Sequence, residues 1–101
     1  MPIETRLSED GQTLVIQVQG RFDFSTHQAF RDAYEHCDPS VKSYVIDLSG
    51  TTYLDSSALG MLLLLRDHAG GDSASVVIEN CNADVRRILS ISNFEQLFSI
   101  C

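Results

Sequence analysis

Positive charge is scarce in this sequence: 7 Lys and Arg stand against 14 Asp and Glu, for a formal net charge of -7. Such a field repels phosphate backbones and anionic headgroups, which argues against nucleic-acid and membrane-surface binding. Arg86-Arg87, the only basic pair, is too small to reverse it. Long apolar runs are missing as well. The longest, Met61 to Leu65, falls far short of the ~20 residues that span a bilayer. Met1-Pro2-Ile3-Glu4-Thr5-Arg6 lacks the charged-then-apolar order of a secretory signal. Cysteine is sparse and odd in number. Cys37, Cys81 and Cys101 form no C-x-x-C or Cys/His spacing, so neither a zinc site nor a disulfide framework is indicated. Reduced thiols in a cytoplasmic protein are the expectation. No P-loop, G-x-G-x-x-G or G-x-S-x-G motif occurs, and no cofactor is indicated.

What remains is enough for one domain over residues 1–101. A hydrophobic fraction of 44% supports a core, although a chain this short is modestly stable. Ile3 to Ser8 alternates weakly and leads into Asp10-Gly11, a favoured hairpin turn. Leu14, Ile16 and Val18 then share one face of a strand that Gly20 is expected to end. Ser25-Thr26 offers an N-cap for a helix carrying Phe30, Ala33, Tyr34 and Cys37, which Asp38-Pro39 stops. Tyr44 to Leu48 reads as a largely buried strand and Ser49-Gly50-Thr51-Thr52 as a turn. Asp55-Ser56-Ser57 caps a second helix to about Ala69, closed by Gly70-Gly71. Ala74 to Ile78 is a strand, and Asn82 caps a helix with the stripe Val85, Ile88, Leu89 and Ser92. Leu97 to Ile100 closes the order as a short strand.

The order ββαβαβα, with that final strand, predicts an α/β fold. Its sheet is mostly parallel with an antiparallel N-terminal edge strand, and helices pack on it. Partners of such sheets gather outside the carboxyl ends of the strands. Gly20-Arg21-Phe22-Asp23, Asp47 through Ser57, and Glu79-Asn80-Cys81 fall there. Asp23, Asp47 and Asp55 either orient a serine hydroxyl on this rim or stay solvated. Three capping-type residues in succession at Asp55-Ser56-Ser57 exceed what one cap needs. The helix behind them carries Leu59, Met61, Leu62, Leu63, Leu64 and Leu65 almost all round its axis. It is therefore either buried on most sides or leaves an apolar patch for a partner. Some of Met61, Leu64 and Leu65 are expected to be accessible. An exposed leucine helix serves a homodimer and a heteropartner equally well.

Asp55-Ser56-Ser57-Ala58-Leu59-Gly60, after the strand Val45-Ile46-Asp47-Leu48, resembles the signature of the STAS family in its bacterial anti-sigma factor antagonist branch. Gly20-Arg21-Phe22-Asp23 is similar to that family's Gly-x-apolar-Asp turn, and Asn82 to Leu89 to its third helix. The resemblance implies a single STAS-like domain and a phosphorylation-controlled partner switch. Unphosphorylated, such a protein binds an anti-sigma factor with serine-kinase activity and frees a sigma factor. Phosphorylation prevents this, and a metal-dependent serine phosphatase restores it. The implied phosphoacceptor is Ser56, with Ser57 as the adjacent fallback. The partner surface is expected at Asp23, Asp55, Ser57, Met61 and Leu64. Ala58 stands where many members carry Gly. The sequence reaches only Cys101, so the closing helix of several relatives is expected to be missing or very short.

Two other readings compete. STAS domains also serve as constitutive scaffold subunits of transporter, lipid-transfer or signalling complexes. A serine-dependent enzyme would need a histidine base and an oxyanion hole. His27, His36 and His68 belong to the first two helices or their ends, and only His27 is close in sequence to the Asp23 turn.

Overall fold

Asp10-Gly11 makes the first turn. In the computed structural model, which describes residues 2–37 and 39–101, Gly11 takes φ +71°, a left-handed value that suits a residue without a Cβ. The Asp10 carboxylate accepts from the Gln12 amide at 3.0 Å, and the Ser8 hydroxyl accepts from the Thr13 amide at 3.1 Å. This turn pairs β1 (Ile3–Leu7) antiparallel with β2 (Thr13–Phe22).

Three crossovers follow among the described residues. Helices α1 (His27–Glu35), α2 (Ser56–His68) and α3 (Ala83–Ile91) carry the chain from β2 to β3 (Ser43–Leu54), β4 (Val76–Glu79) and β5 (Ser99–Ile100). Strands β2 to β5 are parallel, and the order across the sheet is simply β1-β2-β3-β4-β5. Each crossover steps to the next strand in the same direction, so a common right-handed sense puts all three helices on one side. The core forms between the layers. Leu14, Ile16, Val18, Tyr44, Ile46, Leu48, Val76 and Ile78 meet Phe30 and Tyr34 of α1, Met61, Leu62 and Leu65 of α2, and Val85 and Leu89 of α3. Burying each of these side chains contributes about 1.5–3 kcal/mol before conformational entropy is counted.

Several sequence boundaries shift. Gly20 does not end β2; at φ +76° it sits within the strand, which runs on to Phe22. Residues 49–52 are not a turn but part of β3, a 12-residue strand facing the 10 residues of β2. The two extra residues are absorbed by register shifts between Gln17 and Gln19 and between Gly20 and Arg21. Bulges of this kind kink and twist a strand without ending it. Near the first shift, the buried Thr51 hydroxyl donates to the Val18 carbonyl at 2.9 Å. Tyr44 to Leu48 is buried on one face only, with Val45 and Asp47 half-buried on the other. Strand β4 begins at Val76 rather than Ala74, and only Ser99 and Ile100 of the last apolar segment pair as a strand. Helix α1 stops at Glu35; Asp38, expected to stop it with Pro39, lies outside the described residues. Ser25-Thr26 forms a short 3-10 turn before α1, and the cap comes from Asp23 rather than from either hydroxyl.

Candidate functional site

Phe22 of β2 and Leu54 of β3 are partners in register, so the residues after them leave the sheet side by side. Both are aspartates in extended conformation. Asp23 (φ -139°, ψ -170°) accepts from the Ser25 amide at 3.0 Å, and Asp55 (φ -116°, ψ -174°) accepts from the Ala58 amide at 3.0 Å. Asn82 repeats the device after β4, accepting from the Val85 amide at 2.9 Å while its side-chain amide donates to the Thr51 carbonyl at 3.0 Å. Three N-caps thus line one rim, each satisfying a donor that its helix start leaves open.

The acidic side chains are occupied locally. Asp23 also accepts from the Ser25 hydroxyl and from Arg21 Nε, the latter at 3.2 Å. The Ser25 hydroxyl, then the Arg21 guanidinium, hold its carboxyl below the ordinary value. Asp47 accepts from the Ser49 amide at 2.9 Å and the Asn80 side-chain amide at 3.4 Å. Burial pushes its carboxyl up, but the Ser49 and Asn80 bonds together with Arg6 outweigh that and lower it. None of these aspartates orients the Ser56 hydroxyl.

Ser56 is exposed at the first position of α2, and among the described residues no group bonds its hydroxyl. Ser57 is half-buried. At 3.6 residues per turn, Ser56, Gly60, Leu63 and Asp67 fall within an arc of about 60°, with Leu64 beside it. Leu63 is 39% exposed and Leu64 54%, so the helix does leave an apolar patch. Met61 corrects the sequence expectation: at 4% exposure it belongs to the core, as does Leu65 at 0%. Both lie on the arc opposite Ser56, turned toward the sheet.

The rim also carries contacts that sequence reasoning missed, and an exposed aromatic, Phe24. Arg21 and Tyr53 are partners in register, and the guanidinium lies 4.3 Å from the ring centroid. Phe24 is 70% exposed and stacks on His27, with centroids 5.4 Å apart and 9° between planes. The apolar-Asp-Phe string in the Asp23 turn was visible in the sequence. The Arg21–Tyr53 pairing was not, because it depends on the register shifts in β3. His27 is taken up by Phe24, and His68 lies against Tyr34, centroids 5.0 Å apart. Neither hydrogen-bonds Ser56. Among the described residues, no helix is long and apolar enough to cross a membrane.

Comparison with known proteins agrees with this architecture. Residues 5–99 match the family model described as Mlab, STAS domain. A STAS-domain containing protein of Pseudomonas aeruginosa (strain UCBPP-PA14) is 63% identical over 100 residues, covering 99% of each chain. The anti-sigma factor antagonist SpoIIAA in its unphosphorylated form superimposes with a TM-score of 0.73 at 16% identity, over 98% of this chain and 86% of its own. A sulfate transporter family protein from Wolinella succinogenes does so with a TM-score of 0.75 at 9% identity, over 90% and 73% of the two chains. At such identities the two structures speak to the fold alone. From the family model and the close relative, the chain belongs to the STAS-domain family.

Proposed function

We propose that this protein is a cytoplasmic anti-sigma factor antagonist that acts as a partner switch, without catalysis of its own, and that Ser56 is its phosphoacceptor. The observation that carries the reading is the setting of the Ser56 hydroxyl: exposed, unbonded, and at the start of a 13-residue helix whose outer face continues into Leu63 and Leu64. Asp55 already caps Ala58, while the amides of Ser56 and Ser57 open the helix and have no intrahelical partner. A phosphate on Ser56 adds about -1.5 to -2 charge at that positive dipole end, so the fold tolerates it. A partner covering the rim does not, because the new charge joins Asp23 and Asp55 and must be desolvated beneath it. Asp47, expected on this rim, lies mid-strand on the sheet face away from the helices.

In this scheme an anti-sigma factor with serine-kinase activity docks on the unphosphorylated rim, where Asp23, Asp55, Ser57 and Leu64 meet it. It phosphorylates Ser56 and is released; a metal-dependent serine phosphatase resets the switch. Incubation with the kinase and ATP should add one phosphate by intact mass, and Ser56→Ala should abolish the addition. Loss of the phosphate in Ser57→Ala, but not in Ser56→Ala, moves the acceptor by one residue. The likeness to a sulfate transporter family protein supports a second reading, a constitutive scaffold subunit. In that case protein from its native cell carries no phosphate, and Ser56→Asp leaves partner binding unchanged.

A further inference from the structure

An exposed aromatic ring on a loose loop needs no special explanation. The chain around Phe24 is not loose. On one side, the Asp23 carboxylate accepts from the Ser25 amide and hydroxyl. On the other, the Asp23 carbonyl accepts from the Thr26 amide at 3.0 Å and the Thr26 hydroxyl at 2.8 Å, and Thr26 itself is buried. Phe24 lies inside this turn, and its ring, 70% exposed, stacks on His27. The ring is therefore presented to solvent from a short, closely bonded support. Arg21 adjoins it through Asp23. Its guanidinium is fixed by the Asp23 carboxylate at Nε and by the Tyr53 ring at 4.3 Å, while the Arg21 side chain stays 66% exposed. Among the described residues its Nη groups bond nothing. Because Phe22 and Leu54 are partners in register, this turn and Asp55-Ser56 leave the sheet side by side.

Resting on the reading of this rim as the docking surface for the anti-sigma partner, we propose that Phe24 is the anchor that partner recognises, with Arg21 as its polar neighbour. Aromatic and arginine side chains dominate the few positions that carry binding energy at protein interfaces. An anchor already ordered in the free protein loses little conformational entropy on binding. The partner it fits carries an apolar pocket for one phenyl ring, with a carbonyl or carboxylate oxygen at the pocket edge to accept from the open Nη groups of Arg21. Affinity and switching then reside in neighbouring elements. Phe24 acts by burial on the turn after β2, and a phosphate on Ser56 acts by charge at the start of α2. Removing the anchor weakens both forms of the protein and leaves the ratio between them unchanged.

Titration calorimetry of the full chain against the purified anti-sigma factor with serine-kinase activity, with thermal melts alongside, tests this. Phe24→Ala should bind at least ~tenfold more weakly than the wild type, with a Tm within about 4 °C of it. If Phe24→Ala melts early, Phe24→Tyr serves instead. It keeps the stack on His27 and sets a hydroxyl in the apolar pocket, so binding at least ~threefold weaker at an unchanged Tm is expected. Wild-type affinity in the variant that melts normally, while phosphate on Ser56 still weakens binding, overturns the anchor and leaves the switch standing. Weaker binding of that variant, with phosphate on Ser56 having no effect, supports the anchor and refutes the switch. A wild type that does not bind this partner overturns both.

Discussion

Leu64 and Met61 are three residues apart on one helix and differ in exposure, 54% against 4%. This separates the surface role of α2 from its core role. Met61→Ala removes a side chain packed against the sheet; large-to-small changes of this kind cost about 2–5 kcal/mol. For a domain of this size each kcal/mol lowers Tm by about 4–8 °C, so a fall of at least ~8 °C is expected. Leu64→Glu places a charge where the side chain already meets water, and exposed changes usually stay within about 0.5 kcal/mol. Its effect belongs at the partner surface, where burying an unpaired carboxylate should weaken binding at least tenfold, about 1.4 kcal/mol. Thermal melts and titration calorimetry against the anti-sigma partner read the two effects separately. If Leu64→Glu melts as early as Met61→Ala, α2 has no free outer face. If it melts normally and binds normally, Leu64 is outside the interface.

Three further outcomes follow from the rim. Asp55→Ala removes the cap on Ala58 and should lower folding stability by about 0.5–2 kcal/mol in urea titrations, with Asp55→Asn restoring most of it. Thr51→Val leaves the Val18 carbonyl without its 2.9 Å donor and should cost about 1–3 kcal/mol by the same assay, despite the matched shape. Asp23 has a folded-state carboxyl held below its ordinary value of 3.8, first by Ser25 and then by Arg21. Its stabilising contribution is complete above that value and disappears as pH falls through the lowered one. Asp23→Asn should therefore flatten the acid limb of stability against pH, being less stable than the wild type near neutrality and converging with it at low pH.

The element order and the single antiparallel edge were legible because period-two and helical patterns, the Asp10-Gly11 turn and the capping residues act locally. Asp55 and Asn82 are caps, as their chemistry predicted. The course of β3 was not legible. Ser49-Gly50-Thr51-Thr52 has turn composition, yet pairing with β2 and the Thr51 bond to Val18 carry the strand through two register shifts. The facing of α2 was hidden for a different reason: with apolar residues nearly all round, the sequence contains no phase. The sheet decides that Met61 and Leu65 point inward and Leu63 and Leu64 outward, and it does so through the position of Asp55 at the end of β3. The Arg21–Tyr53 contact is a product of the same register.

The central claim is that phosphate on Ser56 controls association without disturbing the fold, and the most direct measurement is the affinity of the anti-sigma partner for the unmodified and the phosphorylated protein. Calorimetry at fixed ionic strength, with melts of both forms, should give at least a tenfold weaker affinity after phosphorylation. The phosphorylated Tm should be equal or slightly higher, since the charge lies at a helix start. Ser56→Ala, exposed to the same kinase and ATP, should keep the unmodified affinity. Equal affinity of the two forms, with the phosphate located on Ser56, would contradict the account.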